Sequence, residues 1–173
     1  MGGPMDYTPG IFKLRNYASD SSKHVHTTLA KQLALYVTIF SPVQMVAGLP
    51  ENYKAKPDAF RFIKEVPVGW DDTKILEEEP GDFITISRKE KGGTAWFIGA
   101  ITYEHSRNAT VNLSFLDKGK RYIATIIEDG ADADWQQNPE AYKIETKRVS
   151  AETILKIKLA PGGGAAISTK MIN

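Results

Sequence analysis

The chain has 173 residues, of which 42% are hydrophobic and 25% are charged, and its 22 basic and 21 acidic side chains leave a formal charge of +1. The length is typical of one domain, and the composition excludes a disordered tail, a collagen-like fibre and a disulfide-stabilised miniprotein. No concentrated basic face is visible in either half, which argues against nucleic-acid binding. The sequence contains no cysteine, so thiolate metal sites, catalytic thiols and disulfides are excluded.

Neither a membrane span nor a secretory leader is predicted. The most apolar stretch, residues 29–47, is interrupted by Lys31 and by several uncharged polar residues, so it falls short of the ~20 apolar residues that cross a bilayer. The first four residues, MGGP, lack the positive charge and the apolar run of a signal peptide.

The first 66 residues carry mostly helical signals. Residues 4–20 are predicted to form an ordered loop, because prolines and a glycine stand among their aromatic side chains. A helix is predicted from about His26 to Phe40, with N-cap oxygens available on Asp20, Ser21 and Ser22. Ser41 and Gln44 have the spacing of a capping box, which predicts that the helix restarts or kinks there, before Gly48 and Pro50 end it. A further short helix is predicted between Pro57 and Pro67.

The helix around Leu33 is apolar on most of its faces. One face of a small sheet can cover one side of such a helix but hardly all of it. The pattern therefore predicts that this segment is part of something larger, or that a partner chain covers it.

After Pro67 the hydrophobic pattern changes to the period of two that is typical of strands. Strands are predicted at 74–79, 82–89, 94–103, 110–115, 121–128, 141–149, 155–159 and 164–171, separated by turns such as Pro80-Gly81 and Asp129-Gly130. Strands at this spacing, with no helix between them, predict an antiparallel β-sandwich or Greek-key domain. The fold class is therefore mainly β with a helical N-terminal segment, divided into residues 1–66 and 67–173.

Candidate functional residues are few. His24 and His26 could provide two metal ligands, but no third ligand is apparent, so capping and packing roles are predicted.

The run Glu77–Glu79 is predicted to be solvated or to protect a sheet edge. Asp129, Asp132 and Asp134 do not have the spacing of a calcium loop, so an ordinary polar loop is predicted there. Gly162–Gly164 lacks the setting of a phosphate-binding loop, so a flexible hairpin or bulge is predicted. Trp96 is predicted to lie in the core, whereas Trp135, in a polar loop, is the candidate to stack on a sugar ring.

A series of segments, in order along the whole chain, resembles the end of glycoside hydrolase family 97, the bacterial α-glucosidases and α-galactosidases. The segments are 3–12 (GPMDYTPGIF), 24–36 (HVHTTLAKQLALY), 49–53 (LPENY), 57–60 (PDAF), 62–64 (FIK), 70–71 (WD), 96–99 (WFIG), 114–117 (SFLD), 132–135 (DADW) and 159–164 (LAPGGG).

The resemblance implies that the chain is a C-terminal fragment: the last strand-loop and last helix of a catalytic (β/α)8 barrel, followed by a β domain associated with oligomerisation. It implies that the catalytic glutamates and the calcium ligands lie upstream, so no catalytic or metal-binding residue is assigned here and no cofactor is expected in this chain. Asp6 and Tyr7 would lie at the mouth of the parent barrel and contribute to its sugar pocket. Full-length members are typically periplasmic.

Three functions are compatible with these observations. The chain could be the structural, inactive C-terminal part of a glycosidase, with the rest of the parent enzyme as its partner. It could be a stand-alone carbohydrate-binding β-sandwich. It could also be an association module that pairs with another chain through the apolar helix around Leu29–Phe40; the first and third functions are compatible with each other.

Overall fold

The structure, a computed structural model, describes residues 6–15 and 23–172. Within these residues it has three helices, α1 (Leu29–Thr38), α2 (Pro50–Lys54) and α3 (Pro57–Glu65). Eight strands follow: β1 (Trp70–Glu79), β2 (Phe83–Glu90), β3 (Trp96–Thr102), β4 (Arg107–Asn112), β5 (Arg121–Asp129), β6 (Tyr142–Val149), β7 (Ile154–Leu159) and β8 (Gly164–Ile172). Among the described helices, none has the length and apolar character needed to cross a bilayer.

The strands form two sheets. Six of them lie in the order β1-β2-β3-β8-β5-β6, and β4 pairs with β7 in a second sheet. All the pairings between these strands are antiparallel. The predicted antiparallel sandwich is confirmed, and each predicted strand overlaps an observed one.

One face of the six-stranded sheet packs on the β4–β7 sheet and encloses an apolar core. In β7, Leu155, Ile157 and Leu159 are buried, while the lysines between them are exposed. Side chains of a strand alternate between its two faces, which explains this pattern. Trp96 lies in the same core and is 4% exposed, as predicted.

The opposite face of the six-stranded sheet carries α1, which lies mainly on β3 and β8. Leu33 and Val37 of the helix pack with Phe97 and Ala166 of these strands. The helix approaches closely at Gly99, where a Cβ atom would lie 2.6 Å from the carbonyl oxygen of Ala34. A second core, separate from the first, forms between the sheet and the helices.

The expectation that α1 presents an uncovered apolar coat is wrong. Leu29, Leu33 and Val37 have no exposed surface. The sheet covers one side of the helix, and Phe12 and other residues of the N-terminal segment, together with Phe62 of α3, belong to the core that covers the other sides. The prediction considered only the sheet as cover and not the loop and the short helix beside it. In the segment Leu29–Phe40, Phe40 lies beyond the helix end and is exposed, but α1 itself lacks the exposed apolar face that self-association through the helix would need.

The start of α1 differs from the prediction. Asp20, Ser21 and Ser22 lie outside the described residues, and the N-cap is Thr28, whose Oγ1 accepts a hydrogen bond from the Lys31 amide at 3.2 Å.

The predicted capping box at Ser41 is wrong, since no helix forms over residues 41–47. The Ser41 hydroxyl bonds to the backbone of Val43, at 2.6 Å to its oxygen and 3.3 Å to its nitrogen. The Gln44 amide donates to the carbonyl of Tyr36 at 2.9 Å, so it caps the end of α1 instead of starting a new helix. Pro50 does not end a helix but begins α2, in the first-turn position that suits proline. The helix predicted after Pro57 is confirmed as α3.

Candidate functional site

The region where the helices meet the β domain is organised around the buried carboxylate of Asp129, at the end of β5. Asp129 is 4% exposed. Its Oδ1 accepts from the Thr28 hydroxyl at 2.6 Å, and its Oδ2 accepts from the amides of Ala160 at 2.8 Å and Gly164 at 2.9 Å. The carboxylate thus joins the N-cap of α1 to the loop between β7 and β8. We call these four residues the Asp129 joint.

The electrostatics of the joint contain two opposing contributions. Burial raises the pKa of Asp129 to about 6, while the hydrogen bonds from Thr28, Ala160 and Gly164 act in the opposite direction and favour the ionised form. Burial also lowers the pKa of the neighbouring Lys31, and the negative charge of Asp129 counteracts that change.

Gly163 and Gly164, beside the joint, must be glycines because neighbouring atoms lie too close to leave room for a side chain. A Cβ atom at Gly163 would collide with the Asp129 carboxylate. A Cβ atom at Gly164 would lie 2.7 Å from both the Ala100 oxygen and the Lys31 Cα. The run Gly162–Gly164 was predicted to be a flexible hairpin or bulge, but its backbone forms the surface on which α1 and Asp129 rest.

Further bonds attach α1 to the β domain. The Thr28 amide donates to Gly162 at 3.2 Å, and the Leu29 amide donates to Pro139 at 2.8 Å. The Lys31 ammonium donates to the Thr102 carbonyl at 2.7 Å. Because the first amides of a helix have no partner within it, these loop carbonyls satisfy groups that would otherwise remain unpaired.

The other side of α1 holds the N-terminal segment. Gln32 accepts from the Gly10 amide at 2.9 Å, and Tyr36 donates to the carbonyl oxygens of Pro9 at 3.2 Å and Met45 at 3.0 Å. Burial raises the pKa of the Tyr36 phenol. The same helix therefore positions both the β domain and the segment that contains Asp6 and Tyr7.

That N-terminal segment pairs in parallel with the segment after α1. The Tyr7 amide donates to Val43 at 3.2 Å, Met45 donates to Tyr7 at 2.9 Å, and Ala47 donates to Pro9 at 3.2 Å. Two parallel extended segments joined by a helix form a βαβ connection. Asp6 is exposed at the start of this pair, and Tyr7 is half-buried within it.

Trp135 is half-buried in a cluster with His24 and His26. Its ring centre lies 4.2 Å from that of His26 and 5.4 Å from that of His24. The indole also lies against Gly162, where a Cβ atom would come within 2.9 Å of it. Part of the indole remains exposed, and His26 beside it is exposed as well.

The predicted polar loop around Asp132 and Asp134 is a network of turn hydrogen bonds. Asp134 accepts from the amides of Gln136 and Gln137, and Asp132 accepts from the Asn138 side chain. Within residues 6–15 and 23–172, no group of three or more histidine, aspartate or glutamate side chains is placed to hold a metal ion.

Glu77, predicted with its neighbours to be solvated or to protect a sheet edge, is half-buried on the edge strand β1. Its carboxylate accepts from the Arg107 guanidinium at 3.1 Å and from the Thr110 amide at 3.0 Å. The register of β1 shifts between Ile75 and Glu77, as at a β-bulge. This bulge re-aims the carboxylate towards the β4–β7 sheet.

Comparison with known protein families identifies the β domain. Residues 69–170 match the family model described as "Glycosyl-hydrolase 97 C-terminal, oligomerisation". The chain belongs to glycoside hydrolase family 97. The matched part is the C-terminal oligomerisation domain of family 97 and is not by itself a catalytic domain.

Individual relatives agree with this assignment. A retaining α-galactosidase of Bacteroides thetaiotaomicron is 36% identical over 174 residues, a match that covers 98% of this chain and 26% of the relative. A family 97 enzyme from a Pseudoalteromonas species, solved with acarbose, is 47% identical with a TM-score of 0.93, over 99% of this chain and 27% of that one. A β-arabinopyranosidase shares the fold, with 22% identity and a TM-score of 0.78. The chain thus spans about a quarter of the length of the first two relatives.

Proposed function

We propose that the chain is the C-terminal part of a family 97 glycosidase acting on α-galactosides or α-glucosides. In this proposal residues 1–66 form the end of the catalytic (β/α)8 barrel and residues 67–173 form the β domain. The chain alone is inactive, because the catalytic carboxylates and the calcium ligands of the parent enzyme belong to upstream sequence. Its role is to hold the end of the barrel in place and to take part in association with the rest of the parent enzyme.

The observation that carries this proposal is the parallel pairing of residues 7–9 with residues 43–47 around α1. Parallel strands occur almost only in sheets that are covered on both faces, so an isolated parallel pair is not a stable unit. No further strand pairs with these two segments among the described residues. Additional parallel strands of a barrel would complete the sheet.

An exposed apolar surface next to this pair supports the same conclusion. Five large hydrophobic side chains within ten residues each expose 43% or more of their surface: Phe40, Val43, Met45, Val46 and Leu49. Contiguous exposed apolar residues mark a surface that another element covers. We assign that cover to the rest of the parent enzyme.

Asp6 and Tyr7 are proposed to contribute to the sugar pocket of the parent enzyme. Asp6 is exposed and adjoins the parallel pair, whose backbone holds Tyr7 in place.

A chimera tests the proposal. The C-terminal quarter of the Pseudoalteromonas enzyme would be replaced by this chain, and hydrolysis of p-nitrophenyl α-glucoside and α-galactoside would be measured. We expect an active chimera, and we expect no turnover by the 173-residue chain alone. A folded, soluble chimera without activity, or turnover by the highly purified chain alone, would contradict the proposal. Within the chimera, Asp6→Asn is expected to lower kcat/KM while circular dichroism stays unchanged.

Trp135 favours a second candidate function, carbohydrate binding by the β domain itself. Its half-exposed indole offers an apolar face to a sugar ring, and the exposed His26 beside it can donate a hydrogen bond to a hydroxyl. Titration with maltotriose would quench tryptophan fluorescence, and Trp135→Ala would abolish the response. A flat calorimetric titration of the unaltered chain would remove this candidate.

A further inference from the structure

A groove of about 670 Å³ lies between α3 and the strands β5, β6 and β8. Its floor belongs to the helix-facing side of the six-stranded sheet, in the part beyond α1. Ile144, on the floor, is 37% exposed, and its neighbour Thr146 is also exposed. The groove is therefore a face of the sheet that no described residue covers.

The strand register arranges the floor in rows that run across β6, β5 and β8. Residues that are partners in the two ladders and lie on the same face form three successive rows: Arg148, Ile123 and Lys170; Thr146, Thr125 and Ser168; Ile144, Ile127 and Ala166. The third row packs under the helices, since Ile127 and Ala166 belong to the core beneath α1. The floor thus changes from apolar, through hydroxyl-bearing, to cationic with increasing distance from α1.

The two sides of the groove carry opposite charges. Arg148 and Lys170, in the outermost row, are exposed. The wall formed by α3 carries the exposed carboxylates of Asp58 and Glu65 and the guanidinium of Arg61, which pairs with Glu65 at 2.7 Å, so acidic groups exceed basic ones on this wall by one. The α3 helix stands as a ridge above the floor, so that ridge and recess lie side by side on one surface.

A surface of this kind is complementary to itself. In a two-fold symmetric dimer the same patch occurs on both copies, and each residue meets a different residue of the other copy. We consider a two-fold axis that runs along the hydroxyl row, formed by Thr146, Thr125 and Ser168. A rotation of 180° about this axis places the α3 ridge of one copy over the row of the other copy that contains Arg148 and Lys170. Opposite charges then meet twice, once on each side of the axis, and the isoleucine and threonine side chains meet between them.

We propose that this groove is the surface through which two copies of the chain associate, with Glu65 of each copy facing Lys170 of the other. The inference goes beyond the proposed function, which gives the chain association with the rest of the parent enzyme, and adds association between two copies. The residues of the three floor rows all lie within residues 69–170, the part that matches the family oligomerisation domain. The groove, and not helix α1, is therefore the proposed contact surface, because the apolar side chains of α1 are already buried.

Charge reversal in sedimentation velocity experiments on the 173-residue chain tests the inference. Lys170→Glu and Glu65→Lys each place like charges opposite one another at both contacts, so we expect each variant alone to raise the dimer dissociation constant at least about tenfold. An equimolar mixture of the two variants is expected to restore the dimer, because both contacts then join opposite charges again. Pairing within one chain could not produce that restoration.

Lys156→Glu is the matched control, because Lys156 is an exposed strand lysine on the outer face of the β4–β7 sheet. It is expected to leave the dimer unchanged, and circular dichroism would confirm that all variants are folded. Variants that remain dimeric, or a mixture that remains monomeric, would refute the groove as the contact surface while leaving association itself intact. An unaltered chain that is monomeric at every concentration would refute the groove as a contact between two copies, and would leave the proposed association with the rest of the parent enzyme standing.

Discussion

The two faces of the six-stranded sheet are packed by different chemistry. Towards the β4–β7 sheet the core is mainly apolar, as between Ile157 and its neighbours, and its buried polar side chains include the hydroxyls of Thr85, Ser87 and Thr169. Towards the helices, apolar packing is combined with buried polar groups, including Asp129, Thr28 and Gln32. Each of these polar groups bonds to backbone atoms or to another buried side chain.

The two faces therefore contribute differently to the fold: one mainly to its stability, and the other to the specific position of α1. An apolar core tolerates exchange of side chains of similar volume, because dispersion contacts and the hydrophobic effect have little directionality. Hydrogen bonds from Asp129 are directional, and a donor left without its acceptor in the interior is costly. The apolar face therefore holds the sandwich together, whereas the Asp129 joint fixes where α1 lies on it.

The largest expected effect is that of Asp129→Ala. The substitution removes the acceptor of three buried donors, and we expect the free energy of unfolding to fall by about 4 kcal/mol, at about 1–3 kcal/mol for each unpaired group. Urea denaturation followed by tryptophan fluorescence would measure it. Asp132→Ala, which removes an exposed carboxylate from the following loop, is the control and should change the value by less than about 0.5 kcal/mol. Equal effects of the two substitutions would contradict the role of the joint.

On the apolar face, Ile157→Ala is expected to lower the free energy of unfolding by about 3 kcal/mol, because it leaves a cavity in a closely packed core. Ile154, on the same strand, is 57% exposed. Ile154→Ala should therefore cost less than about 0.5 kcal/mol. Comparable losses from both substitutions would show that β7 does not have one buried and one exposed face.

A smaller effect is expected for Thr28→Ala, which removes both the helix cap and one donor to Asp129. We expect a loss of about 1.5 kcal/mol, within the range measured for N-cap residues. Thr28→Ser keeps the hydroxyl and should retain most of the stability. If serine were as harmful as alanine, the hydroxyl would not be the group that matters.

The smallest expected effect is the pH dependence of the joint. The pKa of Asp129 is raised from 3.8 when unfolded to about 6 when folded, mainly by burial. The folded state therefore binds a proton more tightly, and the associated stability is complete below pH 3.8 and is lost as the pH rises through 6. Between pH 5 and pH 7.5 the unaltered chain should lose on the order of 1 kcal/mol relative to Asp129→Asn, which cannot titrate. A pH-independent difference would show that the carboxyl group does not titrate in this range.

Much of the sandwich could be predicted from the sequence because alternation is a local property. The pattern around Leu155 and Leu159 located β7 to within one residue at its start, and the turns at Pro80-Gly81 and Asp129-Gly130 separated strands correctly. The wider extent of β1, which begins at Trp70, was missed because its exposed side chains give no alternating signal.

The joint could not be predicted, because its groups are distant in the sequence. Thr28 and Asp129 are separated by 101 positions. Nothing near Gly163 in the sequence indicates that a carboxylate approaches it. The error at Ser41 has the same origin: a local capping pattern was outweighed by backbone pairing with Tyr7, which lies far upstream.

The position of α1 between two layers has a practical consequence for anyone who divides or recombines these enzymes. The change in composition at Pro67 suggests a natural place to cut, but a cut there would leave Leu33 and Val37 without the strands that shelter them and would strip Asp129 of its hydroxyl donor. A transplantable unit would have to begin before Asp6 and carry the helix with the sheet.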